Sequence, residues 1–476
     1  MDVREACPDT GARNGCRQPG AVVIGGDYIA LGAVRSLGRR GIPVWVLHDG
    51  LHVSAAASRF ALRRLPWPAD EIARLASLVQ LATRHRLVDW VLYPTDDESA
   101  ALVARNHDAL SSRFRLTTPS WAVLRWAYDK RLTYGLASRL GIDHPWTFYP
   151  RSRDEVAVLD CTFPVILKPA VKAKSNRFTR ARAWQVDNCH QLLARYAEAC
   201  ELVDPSLIMI QELIAGGGEA QFSFAALCSD GQPLASLVAR RARQHPIDFG
   251  GHGSTFVETV DEPAIEEAAR RLIAAIGYSG LVEVEFKRDP RSGRPKLLDI
   301  NARMWGWHTL GVAAGTDFPY LCWQLAQGAA IPSIRARPGV RWVRAVTDTP
   351  AALGEIRRGR LSVGEYLRSL RPPITWAIFA LDDPFPAIAD VPRLLCRRWR
   401  RVRDEASFLR AGRDIRKNAD PMPAPEQQGR PIEGPKANER PSESPDSGPA
   451  WSKRVFASDG HEKRLNDSKG TIRPRR

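Results

Sequence analysis

The segment VEVEFKRDPRSGRPKLLDINAR, Val282–Arg303, gathers Glu283, Glu285, Asp299, Asn301 and Arg303 into one short stretch. Apolar and polar residues alternate on both of its arms, and DPRSG between them has the residues of a turn. Pairing about Ser292 sets Glu285 opposite Asp299 and Glu283 opposite Asn301. Opposed residues, and residues two apart on one strand, point to the same face. The four polar groups then share a face, and Val282, Val284, Phe286, Leu298 and Ile300 pack on the other. Opposed carboxylates repel, so this face needs a cation. Two or three carboxylates and an amide form an oxygen-only set suited to a hard ion, Mg²⁺ or Mn²⁺ in its place. Pairing with Lys287, Arg288 and Lys296 on a solvated face would satisfy the same carboxylates, and a displaced turn would shift the register by two.

Other residues add to this set. Lys168 lies in the apolar run PVILKPA, where an ammonium is costly without an anionic partner. Lys130, in the pair Asp129–Lys130, precedes an amphipathic helix, a place where a surface lysine is also expected. IMIQELIAGGGE ends a strand at Gln211 and Glu212 and then breaks into glycines, a chain edge able to offer backbone groups to a flat heterocycle.

The elements that must position these groups are legible from periodicity. AVVIGG, YIALGAVRSLGRRG and IPVWVLH read as strand, helix and strand, the opening of a parallel sheet, continued by a helix near 70–85 and a strand near 89–95. GxGxxG is absent, so Gly25 and Gly26 indicate a tight turn and are weak evidence for a dinucleotide site. After residue 118 a helix with Leu132, Leu136 and Leu140 on one side leads into strands and hairpins. Trp305 and Trp307 have no role on this reading beyond packing the turn.

Composition bounds the alternatives. The 476 residues, 44% hydrophobic and 26% charged, suit a multi-domain globular chain. No apolar run is long enough to span a bilayer, and the N-terminus lacks the apolar core of a secretory signal. Eight scattered cysteines without a CxxC pair argue against a disulfide framework or a zinc site, so a cytoplasmic location is expected. The net charge of +16 comes with no nucleic-acid motif, and no nucleic-acid partner is expected. PRLLCRRWRRVRDEASFLR is strongly basic, with Leu394, Leu395, Trp399 and Val402 as its apolar side. It is read either as a helix packed on the body or as a peripheral contact with an anionic membrane, such as the inner membrane surface.

In their order along the chain, Asp129–Lys130, PVILKP around Lys168, IQELI around Glu212, VEVEF around Glu285 and LLDINAR from Leu297 resemble the ATP-grasp superfamily. The resemblance covers roughly residues 21–327. Within the superfamily the chain is most similar to the predicted ATP-dependent carboligases, carboxylate–amine ligases of the D-aspartate ligase type. It implies an α/β and α+β multi-domain chain, with a Rossmann-like pre-ATP-grasp domain at 21–118 and an ATP-grasp domain at 119–330; before them the sequence itself reads as a disordered tail at 1–20. A basic C-terminal extension at 331–417 and a disordered tail at 418–476 follow.

The resemblance further implies that Lys130 and Lys168 contact ATP phosphates. Gln211, Glu212, Leu213 and Ile214 would form the adenine hinge, with Glu219 toward the ribose. Glu285, Asp299 and Asn301 would hold one or two Mg²⁺ (or Mn²⁺), leaving Glu283 outside the ligand set. Arg303 and Lys168 would act on the transferring phosphoryl group. The activity implied is ADP-forming ligation, in which a small-molecule carboxylate becomes an acyl phosphate and is attacked by an amine. A bicarbonate-activating carboxylase is one alternative, and a non-catalytic ATP-binding scaffold at an anionic membrane is another. Arg240, Arg241 and Glu258 in VARRARQHPIDFGGHGSTFVET are candidate substrate contacts. The chain departs from the family pattern twice. Asp299 stands where glutamate is commoner, and the loop after Lys168, usually glycine-rich, carries Lys172, Lys174, Arg177, Arg180 and Arg182 instead. That loop is expected to grip phosphate or substrate through side chains and to close over the site, or else to be a charged, solvated loop.

Overall fold

Five short strands near the N-terminus form a parallel sheet: β1 (Ala21–Ile24), β2 (Val44–His48), β3 (Ala61–Pro66), β4 (Val91–Pro94) and β5 (Arg115–Leu116), in the order β3-β2-β1-β4-β5. β1, β2 and β4 are almost wholly buried, as expected for strands covered on both faces. The order reverses between β1 and β4, and the crevice beyond the carboxyl ends of that pair is where open α/β sheets bind ligands. Gly25, with φ +136°, makes the turn out of β1 possible, because a Cβ there would lie 2.0 Å from Thr95 Oγ1. The computed structural model described here defines residues 18–172, 176–181, 183–245 and 253–389. These all belong to one compact unit.

A four-stranded sheet follows, built from β6 (Thr147–Phe148), β7 (Val165–Pro169), β8 (Trp184–Val186) and β9 (Ile208–Glu212) in the order β6-β9-β7-β8. Its core includes Val165, Leu167, Phe178, Leu192, Tyr196 and Ile210. The largest sheet has eight strands. β10 (Gln221–Ser229), β11 (Gln232–Gln244), β12 (Ser254–Val260), β13 (Gly280–Arg288) and β14 (Pro295–Asn301) make the order β14-β13-β10-β11-β12. β15 (Ile334–Arg335) pairs with β11, while β16 (Arg341–Val343) and β17 (Ile374–Trp376) extend the sheet beyond β12. The boundary expected at residue 330 is therefore not a structural one, because the following segment completes this sheet. The tails at 1–17 and 418–476 and the basic stretch after 389 lie outside the described residues.

One face of the large sheet packs on the helices Trp121–Tyr128, Lys130–Arg139 and Pro263–Ile276. Its other face meets the N-terminal unit through a core containing Leu31, Val34, Tyr93, Leu237, Trp305, Trp307, Phe318 and Trp342. Trp305 and Trp307 thus do more than pack a turn. They are 0% and 3% exposed and fill the space between the two sheets.

Candidate functional site

The β13–β14 ladder pairs Glu283 with Asn301, Val284 with Ile300, and Glu285 with Asp299, the register that follows from pairing about Ser292. A bulge after Glu285 then sets Phe286 opposite Leu297. The extra residue turns Leu297 into the core and Leu298 toward the cavity, the reverse of what strict alternation predicts.

The polar face opens on a cavity of about 300 Å³. Glu283, Glu285, Asp299, Asn301 and Arg303 form one wall. Lys130, Lys168 and Lys172 reach in from the helix start and from β7 with its continuation, and Arg241 from β11. Asp97 and Tyr28 come from the carboxyl ends of β4 and β1, the crevice where the strand order reverses. Gly306 allows this approach, since a Cβ there would meet Tyr28 Oη at 2.7 Å.

Lys130 is the first residue of its helix, capped by Asp129, and its own N–H bonds to Ala170 O at 2.8 Å. It is 6% exposed, not the surface lysine that this position also allowed. A cation at a helix N-terminus opposes the helix dipole, so both burial and the dipole work against it. Burial lowers its pKa, and Asp299 opposes that shift through a 2.7 Å ion pair. Lys168 is pushed down to about 8, first by burial and then by the charge of Lys130; its Nζ lies 3.4 Å from Gln211 Oε1. Lys172 donates to Ile300 O and to Asn301 Oδ1 (3.0 Å) and lies 3.2 Å from Asp299 Oδ1.

Burial alone would raise the Asp299 carboxyl, but Lys130 and Lys172 outweigh it and hold the group well below the usual carboxylate range. The hydrogen bonds to Asp299, from Lys130 and the Ile300 N–H, fall on Oδ1, the oxygen that Lys172 also approaches; among the described residues no hydrogen bond reaches Oδ2. Asn301 Nδ2 donates to Glu283 Oε2 (2.9 Å) and Glu285 Oε1 (2.7 Å), which separates two like charges. Burial, and then the charge of Glu285, pushes Glu283 up to about 7. Arg303 forms a two-pronged pair with Asp97 (3.0 and 3.1 Å) and approaches Asn301 Oδ1 at 3.3 Å.

Glu285, Asp299 and Asn301 thus present hard oxygen donors on one face, with Asp299 Oδ2 open, a set that fits Mg²⁺ completed by water and phosphate oxygens. Among the described residues no three His, Cys, Asp or Glu side chains cluster as a self-sufficient metal cage. Five cations against four carboxylates leave the cavity receptive to a polyanion.

The remaining sequence candidates lie elsewhere. Gln211, Glu212, Leu213, Ile214 and Glu219 do not line this cavity. Glu212 is taken up by Lys296, Arg291 (2.8 Å) and the Trp146 N–H (3.1 Å), which ties the end of β9 to the hairpin. Lys287 donates to Ile214 O and Gly216 O, and Glu219 accepts from the Gly217 N–H. Arg241 lines the cavity, but its neighbour Arg240 points to the opposite face and lies 3.5 Å from Glu258, away from the site. Residues 173–175 and 182 of the expected closing loop, and 246–252 of the substrate loop, lie outside the described residues. Sequence reasoning missed Asp97; its one signal was the acidic run PTDDES after an apolar strand.

A family model described as ATP-grasp in the biosynthetic pathway with Ter operon matches residues 208–348, which include β13 and β14. No curated protein matches the sequence. Among solved structures, the chain is similar to the biotin carboxylase domain of 2-oxoglutarate carboxylase from Hydrogenobacter thermophilus, crystallised with MgADP, ADP and bicarbonate. Identity is 15% over 68% of this chain and 74% of that one, with a TM-score of 0.55. Biotin carboxylase from Campylobacter jejuni gives 17% over 66% and 72%, with a TM-score of 0.53. N5-carboxyaminoimidazole synthetase from Staphylococcus aureus gives 15% over 67% and 80%, with a TM-score of 0.51. At such identities the likeness is one of fold.

Proposed function

We propose that this chain, which belongs to the ATP-grasp superfamily, is an ADP-forming ligase that joins a small-molecule carboxylate to an amine. The observation that carries the reading is the pairing of Glu285 with Asp299 beside Asn301, faced by three lysines in one cavity. Glu285, Asp299 and Asn301 would hold Mg²⁺, which supplies charge neutralisation on phosphate oxygens when bound.

Lys130 and Lys168 bind phosphate oxygens, and Lys130 exchanges the Asp299 carboxylate for them. The substrate carboxylate forms a bond to the γ-phosphorus as the bond from that phosphorus to the β-phosphate oxygen breaks, releasing ADP. Arg303, oriented by Asp97, faces the charge that develops on the transferring group. The amine nitrogen then attacks the acyl carbon, phosphate leaves, and the nitrogen gives up its proton. Gln211, Glu212, Leu213, Ile214 and Glu219 retain their proposed place at the nucleoside end, beyond the described cavity. Arg240 and Glu258 pair with each other, which leaves Arg241 as the substrate contact of that trio.

The test is MgATP-dependent phosphate release against a panel of amino acids, peptides and other carboxylates, bicarbonate included, each with and without amines. A carboxylate–amine pair should stimulate release, and Glu285→Ala and Asp299→Ala should abolish it. Stimulation by bicarbonate alone would replace this reading with that of a carboxylase. No stimulation by any pair, with both variants like wild type, would refute it.

A further inference from the structure

Lys287 stands on β13 two residues after Glu285 and lies beyond the cavity. The register of β13 with β10 runs without a break through Glu283, Glu285 and Lys287, so the three side chains form one row on one face. Lys287 is 8% exposed. Among the described residues its hydrogen bonds go to two backbone carbonyls, Ile214 O at 2.8 Å and Gly216 O at 2.6 Å. Burying an ammonium is unfavourable, and an apolar side chain of equal length would fill the same space without that penalty. Such a side chain could not hold two carbonyls in place.

The segment it holds is poorly suited to hold itself. After β9 the chain runs through Ile214, Ala215 and three glycines, with Ala215 and Gly216 exposed and Gly216 at φ +93°. Glycines lose more conformational freedom on ordering than other residues, so this turn needs external ties. Glu219 supplies one by accepting from the Gly217 N–H at 2.9 Å, and a Cβ at Gly217 would lie 2.5 Å from Glu219 Oε2. Lys296, directly opposite Lys287 on β14, supplies another by taking Glu212 at the end of β9. Like charges opposed across a ladder repel, and here each is drawn to a different part of the same segment. The hairpin that carries Glu285 and Asp299 thus also grips Glu212–Gly216. We infer that Lys287 is a positioning residue for the nucleoside: it fixes the backbone of Ile214–Gly216 relative to Glu285, so that base and phosphates are bound in register. The inference rests on the reading of Gln211–Ile214 as the nucleoside end of the site.

The experiment is calorimetric titration of the full chain with two magnesium-loaded ligands: ATP, and methyl triphosphate, which keeps the triphosphate and lacks the nucleoside. Wild type should bind ATP the more tightly. Lys287→Met should weaken ATP binding by about tenfold or more, the loss of hydrogen bonds from a charged donor. Its affinity for methyl triphosphate should stay within about twofold of wild type, because the cavity side chains are untouched. Lys168→Met, as a control, should weaken both ligands. Gly217→Ala, which displaces the Glu219 carboxylate and also spares the cavity, should weaken ATP selectively but less, and it carries the test if Lys287→Met does not fold. A folded Lys287→Met variant that binds ATP like wild type overturns the inference. So does one that loses both ligands alike, since Lys287 would then support the whole cavity. If only Gly217→Ala folds, wild-type affinity for ATP in that variant overturns it. Wild type that binds the two ligands equally has no nucleoside end, and the inference then falls together with the reading of Gln211–Ile214. None of these outcomes bears on phosphate release with a carboxylate and an amine, which decides the ligase reading separately.

Discussion

Two aspartates, Asp299 and Asp383, are held by cations far away in sequence, and they are held in opposite ways. Asp383 is fully enclosed, and both its oxygens are occupied by partners of fixed geometry: a guanidinium, a hydroxyl and a backbone N–H. Among the described residues the hydrogen bonds to Asp299 fall on one oxygen, and its side-chain partners are the ammonium groups of Lys130 and Lys172. A guanidinium fork is stiff and directional, whereas an ammonium is a point charge on a flexible stem. The first arrangement leaves neither carboxylate oxygen without a partner and suits a clamp. The second keeps an oxygen and two swivelling cations ready for exchange.

The contrast is most easily broken at the clamp. Asp383→Ala leaves Arg35 buried without its carboxylate, a loss of about 3–5 kcal/mol in unfolding free energy. KM for ATP should stay at the wild-type value, as measured on folded protein below the transition. Asp299→Asn should do the reverse. It should lower MgATP-dependent phosphate release by about 10²–10³-fold. Its unfolding midpoint should move far less than that of the clamp variant, because the lysines it leaves behind border an open cavity. Equal loss of stability in both variants would erase the distinction. An Asp299→Asn variant with wild-type turnover would remove that residue from the chemistry.

How visible each aspartate is in the sequence follows from how local its partners are. The hairpin is local: alternation on two arms and a turn between them are enough to pair Glu285 with Asp299. The bulge that exchanges Leu297 and Leu298 is invisible, because nothing in KLLDIN distinguishes a straight strand from one with an extra residue. Lys130 and Lys168 could be suspected as costly cations, but their convergence on one cavity with Asp299 depends on how separate elements pack. The pairings of Asp97 and Asp383 were not legible. Their partners are 206 and 348 residues away, and no periodicity encodes such pairings. The strand order of the parallel sheet was likewise hidden, since only topology reveals that Tyr28 and Asp97 flank its reversal point.

Asp97 lies between the two extremes: it grips a guanidinium as a clamp would, yet it borders the cavity. If it acts as a positioning residue, Asp97→Asn should lower kcat by about 10–100-fold, the loss of a charged hydrogen-bond pair. KM for ATP should shift no more than about twofold, because Lys130 and Lys168 remain to bind phosphate. A variant with unchanged kcat and reduced stability would instead place Asp97 with Asp383, as a structural clamp. The conservative Asp97→Glu, which restores the charge one methylene farther out, should recover part of kcat in the first case.

The smallest effect, and the one that probes exchangeability most directly, is the response to pH. Lys168 is protonated below about pH 8 and loses its charge as pH rises through that value, because burial and the neighbouring Lys130 favour the neutral form. Phosphate binding needs the charged form. Thus kcat/KM for ATP should fall above pH 8, by at most about tenfold per pH unit. Bound phosphate stabilises the ammonium, so at saturating ATP the fall in kcat should appear at higher pH. Lys168→Arg stays charged throughout this range and should flatten the kcat/KM profile, even if its absolute value is lower. At the clamp the partner is an arginine, and burial lowers its pKa from a value so high that it keeps its proton through the same range. The unfolding midpoint of the clamp should accordingly show no inflection near pH 8. A wild-type kcat/KM that is level from about pH 7 to 9 would show that the Lys168 charge is not needed to bind ATP, and would leave Lys130 and Lys172 to balance the phosphates.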